Sequence, residues 1–412
     1  MYKMKICLQD MVFALSEAIE LASAKIRNHH NKVAVIAMKI SEGLNHSNEE
    51  KAQIFISALL HDCGSIVYNT TKSSERFNFH FENSHEHAQK GYKLLKTSNL
   101  LLEEAKIIKD HHVRWDETTQ NTHSFSHIIH LADRISILVK DSKSILDQVP
   151  EINDIILSQS SKMFNPKLVD VFIKESKKEN FWFDILNSDY YIDSLKSENL
   201  ITKTLNTEEL FDATELFRRF IDFRSPFTAI HSKGVSTVAA LLGSYINFST
   251  EDCKLLQIAG FVHDIGKLAI PLEILDKPSG LDKHEVNIIK SHTYYTYKVL
   301  SKISGFEKIN EWAAFHHEKL DGLGYPFHKK ANELSLGCRI MAVSDIFVAL
   351  AEDRPYRKGM KLESAIKILK SLADNGKIDK KVLNTLIENI DEINKLRELV
   401  QEVKLEYNET ML

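Results

Sequence analysis

Apolar residues recur along this chain at intervals of three and four positions, with polar residues between them. The spacing is clear in four stretches: FALSEAIELASAKI (13–26), AQIFISALLH (52–61), STVAALLGSYI (236–246) and CKLLQIAGFVHDIG (253–266). Such spacing places apolar side chains on one face of an α-helix, whereas strict alternation would indicate a half-buried strand. Because that alternation is nearly absent, the pattern predicts an all-α protein.

The strings HDCGS (61–65) and HDIGK (263–267) indicate that the chain contains one unit twice. Four histidines in each half keep similar intervals, 32, 26 and 24 residues in the first half and 32, 29 and 24 in the second. An aspartate follows each series, and the polar stretch DSLKSENLITKTLNTEE (193–209) separates the halves. We therefore predict two tandem helical domains of similar design, residues 1–200 and 201–412.

Composition and charge narrow the class of protein. The 412 residues are 43% hydrophobic, with only 14 glycines and 7 prolines, which fits two or three domains with sizeable cores. The 53 basic and 57 acidic residues are well mixed and leave a net charge of −4. This balance lacks the basic surface that a nucleic acid polymer requires, so we expect no such partner.

The cysteines and the apolar segments indicate in which cellular compartment the protein acts. Four cysteines are scattered without a CxxC pair, which argues against a disulfide framework and a thiolate zinc site. Acidic residues interrupt the apolar N-terminal stretch, and no run of about 18 uncharged apolar residues occurs. We expect a protein of the reducing cytoplasm that neither enters nor spans a membrane.

The repeated histidines and aspartates are candidate metal ligands. Ten of the 19 histidines fall in register between halves that otherwise differ. Imidazoles and carboxylates without thiolates suit first-row metals such as Fe, Mn, Ni or Co, or a catalytic Zn. Each half offers too many ligands for one ion, so we expect two metals in a complete site. An aspartate beside a histidine can give one oxygen to each metal, an arrangement that favours hydrolysis at phosphorus.

Three strings of the second half resemble the HD-GYP family of metal-dependent phosphohydrolases: HDIGKLAIPLEILDKP (263–278), HHEKLDGLGYP (316–326) and SDIFVALAEDRPYR (344–357). The resemblance is close from 221 to 357 and looser beyond. It implies a phosphodiesterase that opens a cyclic dinucleotide, cyclic di-GMP or cyclic GMP-AMP, to the linear 5′-phosphorylated product. It also implies two divalent metal ions, Fe, Mn or similar, bound by His231, His263, Asp264, His292, His316, His317 and Asp345, with Asp264 as the bridge.

The same resemblance assigns candidate substrate contacts. Lys267 would reach the scissile phosphate, and Arg354 and Arg357 would contact phosphates, although they are also consistent with a solvated surface pair. Tyr325 is a candidate nucleotide contact, or else only holds its loop. In that loop, Gly322 and Gly324 are expected to adopt conformations closed to residues with a β-carbon.

Two departures from the family pattern carry expectations of their own. Phe227 stands where some relatives have a glutamate that recruits a third metal, so we expect two metals. Thr296 replaces a glycine found four residues after the ligand histidine, and Gly91 keeps that position in the first half. We expect looser helix packing around Thr296.

The first half retains every ligand type: His29, His61, Asp62, His87, His111, His112 and Asp133. It lacks the lysine, because Ser65 stands there, and it lacks the GYP turn. Three interpretations remain open: a 5′-nucleotidase that acts on the linear product through one or two further metals, with Arg114 holding the phosphate; a metal-bound sensing or dimerising module; or a metal-free relic. Three further histidines are expected at the surface, namely His30, His80 and His85.

An alternative for the whole protein is a cyclic dinucleotide receptor that binds without cleaving and acts through a protein partner. The intact ligand set and Lys267 argue against it. A homodimer, the metal identity and the preferred substrate are left open by the sequence.

Overall fold

A computed structural model describes residues 5–22, 28–67, 84–197, 200–224, 231–352 and 358–402. These residues form twenty α-helices, and two short strands, Ile6–Cys7 and Thr204–Leu205, pair with each other. The predicted all-α class is therefore confirmed. None of the described helices is long and apolar enough to cross a membrane.

The chain divides into two compact units. The first domain comprises Cys7–Leu205, and the second comprises Asn206–Leu412 with Met1–Ile6. Helices of the first domain are α1 Leu8–Leu21, α2 His29–Gly43, α3 Asn48–Leu60, α4 Ser84–Leu95, α5 Leu102–Lys109, α6 Ser126–Leu138, α7 Ile145–Ser158, α8 Pro166–Glu175, α9 Glu179–Leu186 and α10 Ser188–Ser197. Those of the second are α11 Thr207–Arg224, α12 His231–Tyr245, α13 Thr250–Val262, α14 Leu272–Leu275, α15 Lys283–Leu300, α16 Glu307–Ala314, α17 Leu336–Ala351, α18 Leu362–Asp374, α19 Lys380–Glu388 and α20 Ile390–Glu402.

Each domain is built around one central helix. In the first domain α2 packs against α3 and α6, and in the second α12 packs against α13 and α17. The apolar positions of both central helices recur at i, i+3 and i+7 and are fully buried: Val33, Ile36 and Ile40, and Val235, Val238 and Leu242. This periodicity places one continuous stripe in each core.

In both domains the helix that follows the central helix begins with a serine cap. The Ser47 hydroxyl accepts a hydrogen bond from the Glu50 N–H at the start of α3, where the Glu50 side chain completes a capping box. Ser249 accepts from the Asp252 N–H at the start of α13. Both caps satisfy backbone donors that a helix leaves unpaired at its first turn. The caps fix where each helix begins and thus where its C-terminal HD pair falls.

The segment after each HD pair packs tightly against a ligand helix. A β-carbon on Gly64 would lie 2.1 Å from the His87 carbonyl oxygen, and one on Gly266 would lie 1.9 Å from the His292 carbonyl oxygen. The looser packing expected around Thr296 is therefore wrong. The buried Thr296 hydroxyl accepts from the Gly266 N–H at 3.0 Å and donates to the His263 carbonyl at 2.9 Å, so it links the two segments.

Candidate metal centres

Five helices deliver the candidate ligands of the second domain to one place. His231 is the first residue of α12, and His263 and Asp264 follow the last residue of α13. His292 lies within α15, while His316 and His317 follow α16 and Asp345 lies within α17. The first domain repeats this arrangement with α2 to α6. Three of these ligand positions lie at helix ends, at α12, α13 and α16, and two lie inside helices, α15 and α17.

The second-domain ligands form two clusters that share Asp264. Ligand atoms of His231, His263 and Asp264 lie within 4.8 Å of one another, and so do those of His292, His316 and His317. The Asp264 Oδ2 atom lies 3.1 Å from His263 Nε2, whereas its Oδ1 atom lies 3.4 Å from His292 Nε2. Each carboxylate oxygen therefore faces a different cluster, as a bridging ligand would.

Main-chain carbonyls orient the second-domain imidazoles. The Nδ1 atoms of His263, His292 and His316 lie 2.9, 2.6 and 2.6 Å from the carbonyl oxygen three residues earlier. A hydrogen bond at Nδ1 leaves Nε2 as the lone-pair donor toward the cluster. Burial lowers the pKa of His292 to about 3 and that of His316 well below its ordinary value, so both rings stay neutral. Neutral rings with Nε2 exposed to the cluster are ready metal ligands.

The carboxylates of the site remain charged although they are buried. Burial alone would raise the pKa of Asp264, but His263 and Lys267 lower it well below its ordinary value. Lys267 Nζ lies 2.6 Å from Asp264 Oδ2. Burial would likewise raise the pKa of Asp345, but the hydrogen bond from His231 and the nearby His317 and His316 together lower it well below its ordinary value. The single ammonium of Lys267 does not balance the two buried carboxylates, so their remaining negative charge favours a bound cation.

Glu352 is a site residue that sequence reasoning missed. Its Oε1 atom lies 3.0 Å from His231 Nδ1, and Asp345 Oδ1 lies 2.9 Å from Nε2 of the same ring. Burial alone would lower the pKa of His231, but Glu352 and Asp345 raise it to about 10. The two carboxylates thus stabilise positive charge on this ring. Glu352 stands seven residues after Asp345, a helical spacing that could have suggested a shared face.

The loop after His317 is held by the buried carboxylate of Glu318. Glu318 accepts the Phe327 N–H at Oε1, 2.7 Å away, and the Lys329 N–H at Oε2, 3.1 Å away. Gly322 has a φ of +78°, which residues with a β-carbon rarely adopt. Gly324 is required for a different reason from the one expected: a β-carbon there would lie 2.4 Å from the Glu318 Cα.

The loop places Tyr325 beside the candidate metal ligands. Its ring centroid lies 5.0 Å from that of His317, and its N–H donates to the His317 carbonyl at 3.2 Å. The ring also lies 5.8 Å from Lys290 Nζ. Tyr325 is therefore held at the edge of the cluster, where both of its predicted roles remain open. Arg354, Arg357 and Phe227 lie outside the described residues.

The first domain brings together all seven of its predicted ligands. One cluster contains His29, His61 and Asp133, and the other contains Asp62, His87, His111 and His112. His61 and His111 again direct Nδ1 to a carbonyl three residues earlier, at 2.8 and 2.6 Å. Burial lowers the pKa of both rings, so they too are neutral. The donor set therefore fits metal ions in both domains.

The first domain differs from the second in the positively charged side chains near its candidate ligands. Arg114, the candidate phosphate contact, forms a bidentate pair with Asp116, at 3.0 and 2.9 Å, on the surface. Arg134 was not predicted, yet its buried guanidinium contacts the Oδ2 atom of the ligand Asp133 at 2.5 Å. Arg134 is thus the cation adjacent to this candidate metal centre.

The histidines outside the predicted ligand sets differ in their burial. His30, expected at the surface, is fully buried, with its ring centroid 5.4 Å from that of His61. Its Nδ1 atom lies 3.5 Å from the Ser16 hydroxyl of α1. His85 is exposed, as expected, and His80 lies outside the described residues.

Comparisons with known proteins agree with this architecture. Two HD-domain family models match, over residues 26–138 and 215–382. The chain is 30% identical to the 3′3′-cGAMP-specific phosphodiesterase 1 of Vibrio cholerae, over 93% of this chain and 91% of that protein. It is 33% identical to the cyclic di-GMP phosphodiesterase response regulator RpfG of Xanthomonas campestris, over 43% of this chain and 48% of that protein.

A solved structure shows the same fold. The crystal structure of a cyclic GMP-AMP specific phosphodiesterase from V. cholerae superposes with a TM-score of 0.66, at 24% identity, over 94% of this chain and 98% of that one. The fold and the paired His–Asp clusters define a tandem HD-domain protein of the metal-dependent class. The chain belongs to the HD-GYP family, with an N-terminal HD domain that lacks the GYP motif.

Proposed function

We propose that this protein is a metal-dependent cyclic dinucleotide phosphodiesterase and that residues 201–412 carry the reaction. The observation that supports this most is the position of Asp264, whose two oxygens face two ligand clusters while Lys267 contacts one of them. The substrate class is that of the curated relatives, which are named for 3′3′-cGAMP and for cyclic di-GMP.

The proposed reaction adds water to one phosphorus atom and breaks its bond to the 3′ oxygen, giving a linear 5′-phosphorylated dinucleotide. When bound, two divalent transition metal ions, Fe, Mn or similar, supply Lewis acidity and an activated water. Asp264 holds both clusters in one geometry, and the oriented imidazoles keep it rigid. The Lys267 ammonium stabilises the charge that develops on the phosphoryl oxygens or helps the leaving oxygen gain a proton.

The test is product analysis with the full chain loaded with Mn or Fe. Cyclic di-GMP, 3′3′-cyclic GMP-AMP and cyclic di-AMP are incubated separately, and linear products are resolved by chromatography and mass. We expect a linear product from at least one of the first two. Binding of these ligands without any linear product, under either metal, would favour the receptor alternative.

The first domain is proposed to remove the 5′-phosphate from the linear product. Its two complete clusters support this, since a relic would have no need to keep seven neutral or anionic ligands in contact. In an Asp62→Ala variant the ring should still open, but the linear phosphorylated dinucleotide should accumulate and phosphate release should stop. If the unaltered protein releases no phosphate from that dinucleotide with any metal, the first domain is regulatory instead.

We also propose that the protein acts in the cytoplasm. All four cysteines are free. Free thiols fit a reducing compartment.

A further inference from the structure

Glu352 contacts a metal-ligand histidine from the side that faces away from the cluster. The carboxylate is 3% exposed, at the end of α17, and its Oε1 atom lies 3.0 Å from His231 Nδ1. The Nε2 atom of that ring faces the ligand Asp345. The ring therefore directs one nitrogen to the cluster and the other to Glu352.

This contact differs from those of the other second-domain histidines. His263, His292 and His316 meet neutral main-chain carbonyls at Nδ1. A carboxylate at Nδ1 orients the ring as a carbonyl does, and it also increases the basicity of the nitrogen that binds metal. Glu352 thus contributes both geometry and charge to His231.

The first domain provides an internal comparison. His29, which opens α2 as His231 opens α12, has its Nδ1 atom 3.2 Å from the Ser136 hydroxyl, a neutral partner. The ligand Asp133 is in addition contacted by the Arg134 guanidinium. At Nδ1 of its first histidine, the first domain therefore has a neutral group where the second has an anion, and Arg134 is the cation beside Asp133 as Lys267 is the cation beside Asp264.

We propose that Glu352 is a positioning residue for the metal at His231 and that it makes the second-domain centre bind divalent metal more tightly than the first-domain centre. Removal of such outer carboxylates typically weakens metal binding by about 10- to 100-fold. The inference rests on the metal centre of the proposed function, so its test measures metal and uses no nucleotide.

The experiment titrates the metal-free full chain with Co²⁺ and follows its visible absorption. A His61→Ala/His111→Ala background removes one neutral ligand from each first-domain cluster, so the signal reports the second domain. In that background we compare Glu352→Gln, which keeps the shape but loses the charge, and Glu352→Ser, which imitates the first domain. Glu363→Gln, at an exposed position of α18, is the control for net charge.

We expect Glu352→Gln to weaken Co²⁺ binding about 10-fold or more, Glu352→Ser at least as much, and Glu363→Gln not at all. Binding by a helical Glu352→Gln protein at the parent affinity would overturn the inference, and this variant decides the matter if Glu352→Ser fails to fold. The reverse background, His263→Ala/His316→Ala, should bind Co²⁺ about 10-fold more weakly than the first background. Equal affinities would refute the ranking of the domains, whatever the nucleotide assays show.

Discussion

Substitution of Lys267 by alanine tests whether its ammonium group stabilises negative charge in the transition state. Lys267 Nζ lies 2.6 Å from Asp264 Oδ2, and the side chain is 19% exposed. At that separation an effective dielectric constant of about 20 gives a gross attraction of roughly 6 kcal/mol. Desolvation of both groups offsets much of it. The ground-state contact is therefore worth much less than the gross value.

The catalytic effect depends on how much the ammonium stabilises charge that appears only in the transition state. Loss of one such donor typically lowers kcat by about 10²- to 10³-fold, or about 2.7–4 kcal/mol. We expect Lys267→Ala to fall in this range, with the metal content unchanged. His263 and His292 still contact Asp264, so the carboxylate is not left without partners.

The assay measures single-turnover cleavage together with metal content on the same samples. Lys277→Ala is the matched control, because Lys277 follows in the same segment but pairs with Glu285 at 2.7 Å. It should retain near-normal turnover. A Lys267→Ala protein that has lost metal, or that turns over normally, would refute the role given to this ammonium.

Three further predictions follow from individual contacts. Asp264→Ala should remove the shared ligand, lose at least one metal and abolish cleavage while circular dichroism stays helical; full activity with verified metal would contradict the assignment. Thr296→Val should destabilise the second domain by about 1–3 kcal/mol in a denaturant titration, because the Gly266 N–H and His263 carbonyl lose their partner; an unchanged midpoint would show that water replaces the hydroxyl. Gly324→Ala should displace the loop at Glu318, at a cost of about 1–3 kcal/mol in stability from overpacking. It should raise KM and leave the metal content unchanged; normal kinetics would show that the loop does not contribute to substrate binding.

The helical class, the internal repeat and the candidate ligands were readable from the sequence. Helical periodicity reports which face of a segment is buried, and histidines at matching intervals report a shared design without any knowledge of how helices pack. His231 and His263, for example, start α12 and follow α13, as His29 and His61 start α2 and follow α3. Spacing along the chain was enough because each ligand sits at a repeated place on a helix.

The partners of those ligands were decided by the tertiary structure. Glu352 is 121 residues from His231 in the sequence, and Glu318 accepts hydrogen bonds from backbone groups nine and eleven residues later. The contact between the neighbouring residues Arg134 and Asp133 depends on the conformation of the Arg134 side chain. The sequence also misplaced His30, which is buried, and the family pattern gave the wrong expectation for Thr296, whose hydroxyl links two segments. Such contacts depend on crossing angles and on side-chain directions across helix interfaces. A one-dimensional pattern states which residues face inward, but only the packed helices determine which polar atoms lie within 3 Å of one another.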